Sequence, residues 1–304
     1  MGEPKNTPQV GRDGGKILVT GSNGQLGKEL KKLAASFPQF DFTFLSREDL
    51  PIHHFEMVRN YFNVYHPQYL INCAAYTAVD IAEQENDRAF QVNGEAVAVL
   101  AAICKEHHTK FIHISTDYVF DGTATVPYKE DSVANPQSVY GASKLEGEKQ
   151  ALQFNPDSIV IRTSWVYSEY GKNFVKTMLK LIQEKEEINV VNDQVGSPTY
   201  AADLAEAILN IIQWPQTHDS RLTTLGGVYH YSNEGIISWY DFAVAIKELI
   251  GSSCRINPIP TSQYPTPAKR PAYSVLDNSK IQKTFNIRVK GWKDSLAVCH
   301  DSLK

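Results

Sequence analysis

The chain has 304 residues, room for two domains or for one large α/β unit with an appendage. With 42% apolar and 21% charged residues, it has the material for a core, and wholesale disorder is excluded. Thirty Lys and Arg against 34 Asp and Glu leave a net charge of −4, so nothing electrostatic favours nucleic acid or an anionic membrane as a partner.

The first 15 residues are polar, carry Gly11, Gly14 and Gly15, and lack the apolar stretch of a secretory signal; they read as a flexible leader. Lys16–Thr20 is a short aliphatic run closing on Gly21, as expected of a strand buried on both faces. A helix follows, with Leu26, Leu30 and Leu33 at spacings of four and three. The pattern then predicts a strand at Asp41–Leu45, a helix at Glu56–Tyr65 and a strand at Tyr69–Asn72. An alanine-rich helix over Asp87–His107 and a strand over Lys110–Ser115 come next, then a helix at Tyr140–Phe154 and a strand at Ser158–Arg162. Strands alternating with helices imply right-handed crossovers and a Rossmann-type, doubly wound parallel sheet over residues 16–165.

From residue 166 to 304 the rhythm loosens into a smaller α/β unit, with helices expected at Phe174–Glu184, Tyr200–Trp214 and Ser238–Ile250. The stretch Asn257–Pro271 carries five prolines and is expected to be irregular, because proline fixes φ and removes a donor. No apolar run approaches the roughly 20 residues of a membrane span. Four scattered cysteines without a C-x-x-C pair read as buried thiols of a reducing, cytoplasmic compartment.

Gly21-Ser-Asn-Gly24-Gln25-Leu26-Gly27 joins the first strand to the first helix. Residues without a Cβ permit a tight turn and a close approach of phosphate to backbone, and the helix N-terminus adds free N–H groups. The spacing is G-x-x-G-x-x-G. After the second strand the chain reads Leu45-Ser46-Arg47 where an NAD enzyme would place an acid. A guanidinium there suits a ribose 2′-phosphate, which favours NADPH and leaves NADH as the alternative.

Tyr140 and Lys144 stand four residues apart on one helix face, and Ser115-Thr116-Asp117 ends the fourth strand. Ligands of open α/β sheets bind beyond the carboxyl ends of the strands, so these groups share a cleft. Reduction of a ketone leaves an alkoxide that must be protonated. A tyrosine of ordinary pKa, about 10, is a competent acid, with Lys144 to stabilise the phenolate and Thr116 to bond the carbonyl oxygen. The adjacent pairs His53–His54 and His107–His108 do not have metal-ligand spacing and read as solvated; no metal is expected.

These strings resemble the extended short-chain dehydrogenase/reductases, and within them a nucleotide-sugar 4-ketoreductase branch. The resemblance is carried by Val19-Thr-Gly-Ser-Asn-Gly-Gln-Leu-Gly27, Asn72-Cys-Ala-Ala-Tyr-Thr-Ala-Val-Asp80 and Ser115-Thr-Asp-Tyr-Val-Phe-Asp-Gly122. It continues through Val139-Tyr-Gly-Ala-Ser-Lys144, Arg162-Thr-Ser-Trp-Val-Tyr167, Asn192-Asp-Gln-Val-Gly-Ser-Pro-Thr199 and Tyr264-Pro-Thr-Pro-Ala-Lys-Arg-Pro271.

The resemblance implies reduction of the 4-keto group of a dTDP-linked 6-deoxyhexulose by NAD(P)H, with residues 166–304 mainly binding the substrate and crossing back in part to the first unit. It implies Tyr140 as proton donor, Lys144 as its partner and a cofactor ligand, and Thr116 as the group that tunes the tyrosine. Gly24, Gln25 and Leu26 would meet the pyrophosphate, and Ala75, Tyr76 and Thr77 would line the cofactor. Thr116, Asp117 and Trp165 would meet the sugar nucleotide. The resemblance admits a homodimer and a divalent ion at Glu29, although nothing in the sequence demands Mg²⁺. Independently of the resemblance, the polar loop of Asn192 suits a nucleotide or the placing of the substrate, and Arg270, a fixed bidentate donor, suits a pyrophosphate.

One departure stands out. The family carries Leu-Asp-Ile-Thr after the second strand, and this chain reads Leu50-Pro51-Ile-His53, without the carboxylate that could bond adenine. A nucleotide-sugar epimerase or dehydratase on the same fold is the competing enzyme reading. A non-catalytic regulatory subunit, like the methionine adenosyltransferase β subunit, is the competing non-enzyme reading.

Overall fold

The structure is a computed structural model and describes residues 15–217 and 225–304. The expected leader therefore lies, but for Gly15, outside the described residues. The chain runs β1 (Gly15–Thr20), α1 (Gln25–Leu33), β2 (Phe40–Leu45), α2 (Phe55–Tyr65), β3 (Tyr69–Asn72), α3 (Val79–Ala82), α4 (Asn86–Phe90) and α5 (Ala96–Glu106). It continues through β4 (Lys110–Thr116), α6 (Val139–Phe154), β5 (Ile159–Thr163), β6 (Val166–Tyr167), α7 (Phe174–Glu184) and β7 (Glu187–Val191). The remainder is β8 (Val195–Gly196), β9 (Thr199–Tyr200), α8 (Ala201–Thr217), β10 (Gly227–His230), β11 (Ile237–Ser238), α9 (Trp239–Ile250), β12 (Arg255–Ile259), α10 (Ser279–Phe285) and α11 (Trp292–Asp301).

Six strands form one parallel sheet in the order β10-β5-β4-β3-β1-β2. Alternation along β1 decides which face each side chain serves. Ile17 and Val19 enter a core with α1, α8 and α10, while Leu18 enters a second core with α2, α5 and α6. The strand order reverses between β1 and β3, where Thr20 pairs with Asn72, and at such a switch point a crevice opens beyond the carboxyl ends.

The helix expected over Asp87–His107 is one helical run broken by a π turn at Gln91–Glu95. β10 joins the main sheet beside β5, so the later chain does cross back to it.

The later elements bury a third core around Phe242, Trp292 and Tyr167. The expectation of irregular chain from Asn257 needs correction. Asn257, Pro258 and Ile259 belong to β12, which pairs in parallel with Asn189, Val190 and Val191 of β7. A two-stranded sheet has only edge strands, and an edge strand tolerates a proline whose missing N–H faces away from its partner.

Glu29 of α1 is fully buried. Burial, and next the neighbouring Glu169 carboxyl, push it up to about 8 from an ordinary 4.5. Glu169 itself accepts from Lys32 at 2.7 Å and from the Tyr200 hydroxyl at 3.2 Å. Between pH 4.5 and 8 the folded chain thus holds a proton that the unfolded chain has lost. Stability falls as pH rises through that window, by at most about 1.4 kcal/mol per pH unit from this group. Glu29→Gln is expected to flatten the pH dependence of the urea midpoint over that range; equal slopes in variant and wild type would contradict it.

Candidate active site

β1 ends at Thr20 because Gly21 turns the chain with φ +67°, a conformation that a side chain strains to adopt. A Cβ at Gly21 would stand 2.6 Å from the Ala74 nitrogen, and one at Gly27 would stand 2.6 Å from the Gly21 carbonyl oxygen. These two glycines let α1 press onto the end of the sheet. Gly24 caps α1 without a side-chain acceptor and the first turn has no acid, so the leading N–H groups remain available to an anion.

A cavity of about 610 Å³ opens above this turn. Gly21, Gly24, Gln25, Leu26, Gly27, Arg47, Ala75, Tyr76 and Thr77, all expected around a cofactor, line it. Pro51 is not among its lining, but Leu50, Ile52 and His53 are. At the same end Arg47 and Arg88 bring two guanidiniums toward His53, which burial, His54 and those two charges hold below its ordinary value. Gln25 fastens the turn to the chain after β6: its amide donates to the Val166 carbonyl and accepts from Ser168 and Asn173.

α6 is capped by Ser138, whose hydroxyl accepts from the Gly141 N–H. The helix lies close to its neighbours because Gly141 faces the Tyr118 carbonyl and Gly147 the Asn93 carbonyl, each too near for a Cβ. Tyr140 and Lys144 lean on the same strand. Lys144, 2% exposed, donates to the Ile114 carbonyl at 2.6 Å, and the Tyr140 phenol bonds to Thr116. Ile114 and Thr116 both lie at the carboxyl end of β4, so both side chains of α6 meet that end of the strand.

Burial raises the Tyr140 phenol above its ordinary value, with Asp117 and Tyr118 adding to the effect and the Thr116 bond opposing it. Burial also lowers Lys144 to about 8. Cys73, which lines the cavity, interacts electrostatically with Lys144 and so links the Tyr140–Lys144 helix to that cavity.

Asp117 is 2% exposed and is pushed up to about 6 by burial, while the Thr116 hydroxyl donates to it at 2.9 Å. Arg270 forms an ion pair with Asp80 at 2.6 Å and donates to the Tyr118 hydroxyl at 3.3 Å. The Tyr118 ring meets that of Tyr140 edge-on at 5.5 Å, so Arg270 lies one residue removed from the phenol. Trp165 adopts φ +50° and stacks on Trp239 at 3.5 Å, over Gly196. Asn192 is exposed between β7 and β8, its N–H bonded to the Ile259 carbonyl and not to any group around Tyr140.

Sequence reasoning missed Asn93. Its amide holds the Tyr76 backbone from both sides, at 2.8 and 3.0 Å, and reaches the Ser143 hydroxyl at 3.0 Å, joining the cavity wall to α6. It sits in the π turn, a frequent device at functional sites, but residue type alone gives no sign of such a turn. Tyr118 and Asp80 were likewise visible only as members of motifs, and His113 only as part of the strand Lys110–Ser115. Among the described residues no group of three or more His, Cys, Asp or Glu side chains could hold a metal ion.

A glycine turn at the switch point, with a tyrosine–lysine helix beside it, defines a dinucleotide-dependent oxidoreductase of the short-chain type. The chain belongs to the RmlD substrate binding domain family, which matches residues 15–304. It is 42% identical over 287 residues to the dTDP-4-dehydrorhamnose reductase of Aggregatibacter actinomycetemcomitans, covering 92% of this chain and 97% of the relative. A crystal structure of a dTDP-4-dehydrorhamnose reductase from Clostridium acetobutylicum superposes with TM-score 0.89 at 42% identity, over 95% of this chain and 99% of the other. The Bacillus anthracis reductase in complex with NADP superposes with TM-score 0.88 at 35% identity, again over 95% and 99%.

Proposed function

We propose that this protein reduces the 4-keto group of dTDP-6-deoxy-L-lyxo-4-hexulose with NADPH, giving dTDP-L-rhamnose. The observation that carries the reading is the seating of Tyr140 and Lys144 against Thr116 and Ile114, beside a cavity floored by the glycine turn. The relatives' names agree with it.

The residues present fit NADPH. The N–H groups of Gln25, Leu26 and Gly27 suit its pyrophosphate, and Arg47, with Arg88 and His53 at the same end, suits a 2′-phosphate. When bound, the cofactor supplies hydride to the substrate carbonyl carbon. Tyr140, kept protonated by its buried setting, hands its proton to the oxygen. Lys144 faces the phenolate so formed with a positive charge, and the Thr116 hydroxyl orients the phenol. On this reading Thr116, Asp117, Trp165, Asn192 and Arg270 serve the sugar nucleotide.

Residues 16–165 act as the dinucleotide-binding unit and 166–304 mainly as the substrate-binding unit. A cytoplasmic location and a homodimer complete the reading. The location is supported by the four free cysteines, as in a reducing compartment.

Two measurements test it. One NADPH should be oxidised for each 4-keto sugar nucleotide consumed; substrate turnover without net oxidation would favour an epimerase or dehydratase. Arg47→Ala should reduce the ratio of NADPH to NADH affinity by about tenfold, the scale of one charge-assisted bond. An unchanged ratio would remove Arg47 from 2′-phosphate recognition.

A further inference from the structure

A line of buried polar groups runs beneath the active site, across three strands, and ends on Lys144. The Thr20 hydroxyl of β1 donates to Asn72 Oδ1 at 2.7 Å, and the Ala74 backbone N–H donates to the same oxygen at 3.2 Å. Asn72 Nδ2 lies 3.1 Å from His113 Nδ1, and His113 Nε2 lies 3.4 Å from Lys144 Nζ. Asn72, His113 and Lys144 are 1%, 0% and 2% exposed, so water does not substitute for any of these partners.

The chemistry of the donors fixes every orientation along this line. A backbone N–H can only donate, so the Asn72 atom facing Ala74 is the oxygen and its NH₂ faces the imidazole. An amide NH₂ can only donate, so His113 Nδ1 accepts and carries no proton. The proton of the neutral ring therefore sits on Nε2, aimed at Lys144. The ring stays neutral because burial and then the Lys144 charge hold it well below its ordinary range. A neutral amine at 144 accepts that N–H; an ammonium, already donating to the Ile114 carbonyl, gains nothing from it.

Resting on the reductase reading above, we infer that His113 is a positioning residue for the reaction: its Nε2–H donates to the Lys144 amine and keeps that lysine ready to surrender a proton to Tyr140. After Tyr140 protonates the substrate oxygen, its phenolate takes a proton from the Lys144 ammonium. An O–H bond forms on tyrosine, an N–H bond breaks on lysine, and the lone pair left behind receives the His113 N–H. Lys144 then recovers its proton from solvent by way of the cofactor cavity, which its neighbour Cys73 lines.

The groups facing Lys144 come from each neighbouring element. Glu148 lies on its own helix, Cys73 follows β3, and His113 belongs to β4. Glu148 and Cys73 favour the ammonium, whereas burial favours the amine and prevails, leaving Lys144 at about 8. Both protonation states are then within reach at neutral pH.

The test begins with the wild-type enzyme labelled with ¹⁵N-histidine. Two-bond ¹H–¹⁵N correlations should show His113 with Nε2 protonated and Nδ1 bare, without titrating from about pH 6 to about pH 9. The signal is assigned through whichever of His113→Phe and His113→Gln folds. An Nδ1–H ring, or one that titrates in that range, overturns the inference.

A second arm turns the ring over. In Asn72→Asp the carboxylate accepts an Nδ1–H, so bare Nε2 accepts from the Lys144 ammonium and favours it. The basic limb of the kcat profile should move up by about one pH unit, tenfold in proton concentration, with KM little changed. The shift should vanish in the double variant Asn72→Asp/His113→Phe. A shift that persists there shows the carboxylate acting directly and overturns the role of His113, as does an unmoved profile. The tautomer is read without turnover, so its failure is distinguishable from a failure of the reductase reading, which would appear as no NADPH oxidation.

Discussion

Tyr140→Phe is expected to lower kcat by about 10²–10⁴-fold, the range for loss of a positioned general acid, while NADPH affinity stays close to wild type. The substitution keeps the ring that meets Tyr118 edge-on at 5.5 Å and removes only the hydroxyl bonded to Thr116. Lys144 points to the Ile114 carbonyl and the Tyr118 hydroxyl accepts from Arg270, so neither is placed as Tyr140 is. Turnover measured with saturating NADPH, alongside cofactor affinity by fluorescence, separates loss of chemistry from loss of binding. A variant near wild-type rate would remove Tyr140 from the role.

Arg162→Met is expected to lower the unfolding free energy by about 3–5 kcal/mol, the cost of breaking a buried ion pair by removing one partner. Arg162 of β5 and Glu148 of α6 are 6% and 3% exposed at their side chains and meet at 2.6 Å, with two further contacts from the guanidinium Nε at 2.9 and 3.1 Å. Ser115 donates to the same carboxylate, and the guanidinium lies 5.0 Å from the Phe120 ring centre. The pair holds α6 to the sheet one turn beyond Lys144, so its loss leaves a buried carboxylate without its cation. Chemical denaturation followed by circular dichroism gives the number; a change under about 1 kcal/mol, the scale of an exposed pair, would show that the site relaxes or hydrates freely.

The parallel sheet was legible because its strands are buried on both faces and read as aliphatic runs. Tyr69–Asn72 and the helix Phe174–Glu184 have the bounds their patterns predict. β10 was not legible: Gly227–His230 is short, and its hydrophobicity gives no sign that it returns to the edge of the first sheet. β12 reads as irregular because its proline signals a loop, while its partner β7 lies far earlier in the chain.

At the site, the glycine turn and the Tyr140–Lys144 pair are local in sequence and could be read from spacing. The ion pair of Arg270 with Asp80 and the reach of Asn93 to Tyr76 join residues distant in the chain, and no local pattern encodes them. The orientation of His113 depends on an amide two strands away, which itself depends on a backbone N–H. Such a chain of donors exists only once the strands are side by side.

The most direct measurement follows an isotope. Incubation with NADPH deuterated at the transferable position of nicotinamide C4, together with the dTDP-4-keto-6-deoxyhexulose, should place deuterium on C4 of the sugar, at one label per NADPH oxidised. A sugar product free of label, or an unconsumed cofactor, would mean that hydride does not pass from nicotinamide to this carbonyl and that the cleft above β4 serves some other chemistry.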